Sequence, residues 1–386
     1  MGDVLFEITK ENLETGMRGY PVGYCQTSTV DPVKGLSYAG IPIPQLVSWP
    51  PEKVIYLLYT GKEGSAEEVH KFSTDLRKRA KCSPEMIKHI KLLPRHGHPM
   101  KLFCSALLIC GMMEGKQDYR EDSLNLIAKI PEITATVINY HAGWGEGKAS
   151  DPELGYMENF TQMLNVPKAN KEELGPIFRL FNILHYDHGG GNLSAFVGKA
   201  VASGLEDMYG SITAAMCALA GARHGRANQE SLEFVEKVLK ELGSDATPQE
   251  MEKYIRNLLD QKGLIFGFGH AVLRVEDPRA QIFYEIAQKK YPQHPLVKVT
   301  KLLRAEVPKI LAENQKISDP YANVDAISGT LLSAAGFPYP QYFTLLFGLA
   351  RVVGISIQIV YERCEAREGK GTPIVRPKYF YLPRSP

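Results

Sequence analysis

Apolar residues recur at helical spacing through most of the chain, and the signals that start and stop each run are readable. The segment "PPEKVIYLLYTGK" puts Pro at a helix start and Gly61 at its stop. "SAEEVHKFSTDLRKRAK" sets Ser65 three residues before Glu68, a capping-box pattern. "HPMKLFCSALLICGMME" and "DSLNLIAKIPEITATVINYHAG" are apolar on nearly every face, which predicts buried helices, and Pro131 is expected to break or kink the second. Two helices rich in Ala, Ser and Gly follow, from Asn192 to Gly204 and from Ser211 to Ala222. Such side chains let backbones pack closely, either inside one chain or across a dimer interface. After Gly225 the helices become amphipathic and more charged: "NQESLEFVEKVLKELG", "TPQEMEKYIRNLLDQKG", "DPRAQIFYEIAQKKY" and "HPLVKVTKLLRAEVPKILAENQ". The third has Asp277 at its cap and Pro278 at its first helical position. Only the stretch from Ser28 to Val47 has Gly and Pro at turn spacing, and it predicts a small hairpin or two. The expected fold is all-α with two domains. Residues 1–225 and 331–386 form the larger, and the wetter segment 226–330 forms the smaller.

Composition narrows the class. At 386 residues with 44% hydrophobic content, the chain can bury a large core. A net charge of +2 argues against a nucleic-acid footprint or a polybasic membrane anchor, and leaves room for a local cationic pocket. The six cysteines form no CxxC pair and read as reduced, structural residues of a cytosolic protein. The run from Tyr342 to Arg363 is the most apolar, but Arg351 interrupts it, so a buried helix is expected rather than a membrane span. The opening "MGDVLFEITK" has neither signal-peptide nor transit-peptide character, which again points to the cytoplasm.

Candidate chemistry lies beside glycines or inside apolar helices. In "GLIFGFGHAVLRVEDPRA", Gly267 and Gly269 let backbone groups approach a ligand just before His270. Arg279 sits in the first turn of a helix, where the macrodipole disfavours a cation. It is either a solvated surface residue or the holder of a bound carboxylate. "LHYDHGGGN" contains His185, Asp187 and His188, open to three readings: a metal site, a structural histidine, or a donor to an anionic ligand. Asp325 lies among small and apolar neighbours, where a dry environment would raise its basicity enough to take a proton from carbon. Arg351, alone in an apolar helix, needs either an internal acid or a substrate carboxylate, because an unpaired buried guanidinium costs several kcal/mol. His224 stands between Arg223 and Arg226 in "GARHGRANQE". Neither a Ser-His-Asp elbow nor a Walker loop is present. The set suits proton abstraction beside a carbonyl, on a substrate with more than one carboxylate.

The motifs "DHGGGN", "HGRANQE", "GFGHAVLRVEDPR", "NVDAISG", "LFGLARVVG" and "RPK" occur in the order found in citrate synthases, and the chain resembles that family over nearly its whole length. The pattern is most similar to the dimeric, mitochondrial-type branch. The resemblance implies a two-domain helical fold and the condensation of acetyl-CoA with oxaloacetate, with no cofactor and no metal. It implies that His224 donates to the thioester carbonyl, Asp325 removes a methyl proton and His270 polarises the ketone. His188, Arg279 and Arg351 would hold oxaloacetate, joined by Arg376 reaching from the partner of a homodimer. Leu264, Ile265, Phe266, Gly267, Phe268 and Gly269 would recognise adenine through backbone groups, with Arg274 near the CoA phosphates.

Three positions depart from the family pattern: Arg223 before the histidine, Gly189 after "DH", and Ile327 in "NVDAISG". None removes a catalytic group. Arg223 is expected either to help keep His224 neutral or to meet CoA's anionic groups. The nearest rival activity is 2-methylcitrate synthase, which takes propionyl-CoA; the rival from another class is a dimeric paralogue that binds CoA or a dicarboxylate without turnover.

Overall fold

The computed structural model describes residues 3–384. A short antiparallel sheet opens the fold, with strands β1 (Ser28–Asp31), β2 (Gly35–Tyr38) and β3 (Ile41–Pro42) in the order 1-2-3. In the β1–β2 register Ser28 faces Tyr38 and Asp31 faces Gly35. Helices α1 (Ile43–Leu46), α2 (Pro51–Thr60), α3 (Ala66–Arg79), α4 (Pro84–Ile90), α5 (Pro99–Glu114) and α6 (Tyr119–Ala142) follow. Next come α7 (Tyr156–Met163), α8 (Lys171–His185), α9 (Leu193–Ser203) and α10 (Met208–Leu219). The charged stretch builds α11 (Ala227–Leu242), α12 (Pro248–Asp260), α13 (Pro278–Lys290), α14 (Pro295–Leu311) and α15 (Asp325–Ala334), and α16 (Phe343–Cys364) completes the chain's regular structure. The all-α expectation holds, with the sheet as its one exception.

The caps are where the sequence puts them. Gly61 ends α2 in the left-handed conformation, and Ser65 and Glu68 close a full capping box on α3. Asp277 accepts from the Arg279 amide at the start of α13, with Pro278 behind it. The expected break at Pro131 does not occur: α6 runs from Tyr119 to Ala142 as one helix. Proline lacks the N–H that would bond the carbonyl four residues back, at Ile127. The Tyr156 hydroxyl from α7 donates to that carbonyl instead, at 2.8 Å. The orphan acceptor is satisfied from outside the helix, so the helix continues.

The core is built around α16, which packs on α6, α8, α9 and α10. Every residue from Tyr342 to Val360 is buried, Arg351 included, so this most apolar helix is an interior one. The small-residue helices do approach closely: a β-carbon at Gly198 on α9 would lie 3.0 Å from the Ala215 β-carbon on α10. Helices α11 to α15 pack mainly on one another, with α13 also touching α1 and α15 touching α8. Residue 225 lies in the turn before α11, and residue 330 lies within α15, which continues to Ala334.

Replacing Tyr156 by Phe keeps the buried ring and removes the hydroxyl that serves Ile127. Denaturant unfolding of Tyr156→Phe is expected to show a loss of about 1–3 kcal/mol, the cost of an unsatisfied buried acceptor; an unchanged midpoint would mean α6 does not need this partner.

Candidate active site

Four segments converge: the loop after α8, the turn between α10 and α11, the loop into α13, and the start of α15 beside α16. The α16 helix brings Arg351, whose side chain is 1% exposed. Its Nε donates to the His185 carbonyl at 3.1 Å, and the guanidinium stacks over the Phe347 ring at 4.6 Å. No carboxylate pairs with it among the described residues. Burial therefore pulls its pKa down to about 10, against the pull of Asp187. The internal acid that would have made Arg351 a purely structural residue is absent from its immediate surroundings.

Arg279 differs in that it already has a partner. Its Nε and Nη2 fork onto the Asp277 carboxylate at 3.1 and 2.7 Å, and both residues are buried. This explains why a cation is tolerated at a helix start: the capping acid doubles as counter-ion. Burial works to raise the Asp277 pKa, but Arg279's charge and hydrogen bonds hold it below its ordinary value. The same Nη2 reaches His188 Nε2 at 3.2 Å, and the His188 ring stands edge-on to His270 at 5.3 Å. Because an arginine can only donate, His188 Nε2 is the acceptor and its proton lies on Nδ1. Burial first, then Arg279 and Arg351, pushes His188 well below the usual imidazole range.

The other two histidines have their tautomers fixed by backbone amides. His270 Nδ1 accepts from the amides of Val272 and Leu273 at 3.0 and 2.9 Å, which leaves the proton on Nε2. His224 Nε2 accepts from the Ser194 amide at 3.2 Å and meets the Ser194 hydroxyl at 2.8 Å, which leaves its proton on Nδ1. Ser194 is in turn held by Asn192, the cap of α9. Burial lowers both histidines to about 4. For His224 the assisting charge is Arg351. Arg223, expected to supply it, is exposed, and Arg226 is paired with Glu230 at 3.3 Å. The flanking arginines are thus not what keeps His224 neutral.

Asp325 is the first residue of α15, its amide capped by the Asn323 side chain at 2.9 Å. Its Oδ1 is shielded from solvent and has no hydrogen-bond partner among the described residues. Burial raises its pKa to about 7, although Arg279 draws it back. A carboxylate in that state is a base poised near neutrality.

The expected adenine loop is tied down. The Gly267 carbonyl accepts from the Asn323 amide, the Gly269 amide donates to the Tyr321 carbonyl, and the Gly269 carbonyl accepts from the Asn323 side chain, each at 2.9 Å. Gly267 has φ +83°, and a β-carbon there would come within 2.6 Å of Ala326 Cα, so only glycine fits. Those three groups are spent. Among the described residues, Leu264, Ile265 and Phe266 retain unpaired backbone groups, with Leu264 well exposed, and Phe268 forms an isolated bridge to Ala322. Arg274 is exposed and bonds the carbonyls of Val272 and Leu273 at 2.9 and 2.6 Å. Arg376 lies on an exposed C-terminal stretch running past Ser203 and is not brought to the other residues within this chain. Asp187, weighed as a metal ligand, is turned away from His188 towards Thr27, Ser28 and Gln358. Sequence reasoning missed Ser194; the only available signal was its place two residues after Asn192.

Residues 16–378 match the family model described as citrate synthase, C-terminal domain. The mitochondrial citrate synthase of Daucus carota is 36% identical, over 97% of this chain and 83% of its own length. That of Citrus maxima is 37% identical, over 98% and 84%. Among solved structures, citrate synthase from Thermotoga maritima superposes with a TM-score of 0.81 at 26% identity, covering 96% of both chains. The ternary complex of carboxymethyl coenzyme A and oxaloacetate with the Thermoplasma acidophilum citrate synthase gives 0.82 at 27%, again over 96% of both. The cytoplasmic expectation drawn from the opening residues is overturned, since the curated relatives, including that of Xiphias gladius, are named as mitochondrial proteins.

Ring-carbon or ring-nitrogen NMR should find His224 and His270 titrating near pH 4 in the folded protein, not near 6.5. The unfolded chain takes up these protons first, so stability falls as pH drops from about 6.5 towards 4. Ordinary titration of both rings would contradict the tautomer assignments' electrostatic setting.

Proposed function

Because the chain belongs to the citrate synthase family, we propose that it condenses acetyl-CoA with oxaloacetate and water to give citrate and CoA. The observations that carry this reading are the Asp325 carboxyl, raised to about 7 with its Oδ1 lacking a hydrogen-bond partner among the described residues, and two histidines locked as neutral donors. Asp325 takes a proton from the acetyl methyl group as His224 Nδ1–H hydrogen-bonds the thioester carbonyl. The enol then forms without a free enolate, since removal and donation are shared between two groups. His270 Nε2–H faces the oxaloacetate ketone and supports the alkoxide as the carbon–carbon bond is made. Hydrolysis of the resulting citryl-CoA releases CoA.

Arg351 supplies the first cation for oxaloacetate's carboxylates, and a substrate carboxylate would restore the partner it lacks. Arg279 and His188 supply the neighbouring donors. Arg376 would come from the partner of a homodimer built on the α9 and α10 face. The segment from α11 into α15 would close as a smaller domain over the substrate and exclude water. Leu264 to Phe266 and Phe268, with Arg274, would meet the CoA nucleotide, while Gly267 and Gly269 shape the loop.

In a coupled thiol-release assay, acetyl-CoA should give a higher kcat/KM than propionyl-CoA; the reverse order would make the activity 2-methylcitrate synthesis, and no CoA release would favour a binding paralogue. Asp325→Asn should keep oxaloacetate affinity and lose turnover by roughly 10²–10⁴-fold. The native Asp325 pKa lies above its unfolded value of 3.8, so its contribution to stability is present at low pH and is lost as pH rises through about 7. Asp325→Asn should therefore raise Tm at pH 8 more than at pH 5, and an equal change at both pH values would refute the raised pKa. Arg351→Leu should raise the oxaloacetate KM steeply; an unchanged KM in folded protein would rule out a carboxylate contact.

A further inference from the structure

The loop bearing His188 is not held by its own helix. It is held by the N-terminal hairpin, some 160 residues earlier in the chain. Asp187 is wholly buried. One of its oxygens accepts from the Ser28 hydroxyl at 2.7 Å and from the Thr27 hydroxyl, and the other from Gln358 of α16 at 2.8 Å. The Ser28 oxygen also accepts from the Gly189 amide at 2.7 Å. Ser28 therefore grips the residues on both sides of His188, one through its side chain and one through its backbone. Asn192 closes the loop from the other end, donating to the carbonyls of His188 and Gly189 at 3.2 and 2.7 Å. From β2, the Tyr38 hydroxyl accepts from the Asp187 amide at 3.2 Å and donates to the Ile183 carbonyl at 2.9 Å.

The hairpin's other end touches the second half of the anion site. The Pro32 carbonyl accepts from the Arg274 amide at 2.8 Å. Gly35, with φ +81°, lies against Pro278, where a β-carbon would meet the proline ring at 2.6 Å. Pro278 directly precedes Arg279. One short hairpin thus contacts the His188 loop at its base and the Arg279 helix at its tip, and those two side chains meet at 3.2 Å.

We propose that Ser28, acting through Asp187 and the Gly189 amide, is a positioning residue for oxaloacetate: it fixes His188 at the distance from Arg279 that a carboxylate requires. The inference rests on His188 being a carboxylate ligand, as proposed above. Ser28 touches no substrate; its effect is on where His188 stands. Removing its hydroxyl frees the Gly189 amide and one donor to Asp187 while leaving Thr27, Gln358 and Asn192 in place.

The test uses the full-length protein. Wild type is first assayed for CoA release and for oxaloacetate binding by calorimetry; failure there strikes the proposed function and not this inference. Ser28→Ala should then raise the oxaloacetate KM and Kd roughly tenfold, with kcat and the acetyl-CoA KM within about threefold of wild type. Ser28→Thr, which keeps the hydroxyl, should restore both. A folded Ser28→Ala with unchanged oxaloacetate KM overturns the proposal. So does a uniform loss of all activity in step with the folded fraction, or a Ser28→Thr as impaired as the alanine variant. Should Ser28→Ala not fold, Thr27→Val removes another donor to Asp187 at constant shape. It should raise the oxaloacetate KM in the same direction by a smaller factor, and an unchanged KM would again overturn the proposal.

Discussion

A guanidinium with no paired carboxylate among the described residues, sealed inside the most apolar helix of the core, acts on several titrating groups around it. Arg351 is paid for by one carbonyl, one aromatic face and the more distant charge of Asp187. Its field, added to that of Arg279 and to burial, makes a proton on His188 or His185 unfavourable, and with burial it does the same for His224. The two arginines also oppose the rise that burial imposes on Asp325, which holds that carboxyl near neutrality. Neutral histidines and a half-ionised acid are what a shared proton transfer needs. They follow here from burial first, with the field of one or both arginines added to it.

Around that cation, hydrogen bonds assign each ring its proton. Backbone amides can only donate, so Val272 and Leu273 fix His270, and Ser194 fixes His224, with no help from a carboxylate. Asn323 joins Asp325 to the glycine loop. Its backbone and side chain bond Gly267 and Gly269, and the same side chain caps Asp325. The two loop glycines and Asp325 are therefore tied through one residue, which accounts for the carbonyls of Gly267 and Gly269 being bonded internally. Packing enforces the same precision beneath Arg351. Gly354, one turn on, lies so close to Tyr186 that a β-carbon would come within 2.4 Å of its carbonyl.

Local chemistry was legible from the sequence where cause and effect lie within a few residues. Gly61, the Ser65–Glu68 box and the Asp277–Pro278 start all act inside one turn of helix, so their helices could be placed. Arg351 stood out because a charge in an apolar run is visible without a structure. The motifs carried His224, His270 and Asp325. What escaped was set by distant partners. Pro131 reads as a helix breaker until Tyr156 is seen on Ile127. Arg223 reads as the charge beside His224 until the side chain is seen to be exposed and Arg351, far along the chain, takes that role. Asp187 beside two histidines leaves a metal site among three readings until its carboxylate is found facing Thr27, Ser28 and Gln358.

The pairing of the hairpin with the His188 loop also orders events in time. During synthesis the hairpin leaves the ribosome first and has nothing to hold. At about 5–20 residues per second, the ~160 residues that separate Thr27 from Asp187 take roughly 10–30 s to arrive, and Gln358, the third grip on that carboxylate, arrives after slightly longer again. Through that interval the strand pair lacks the loop it holds, and an isolated pair of strands is of marginal stability in water. The His188 loop is therefore among the parts of the fold that take shape late, because the residues gripping Asp187 lie far apart along the chain.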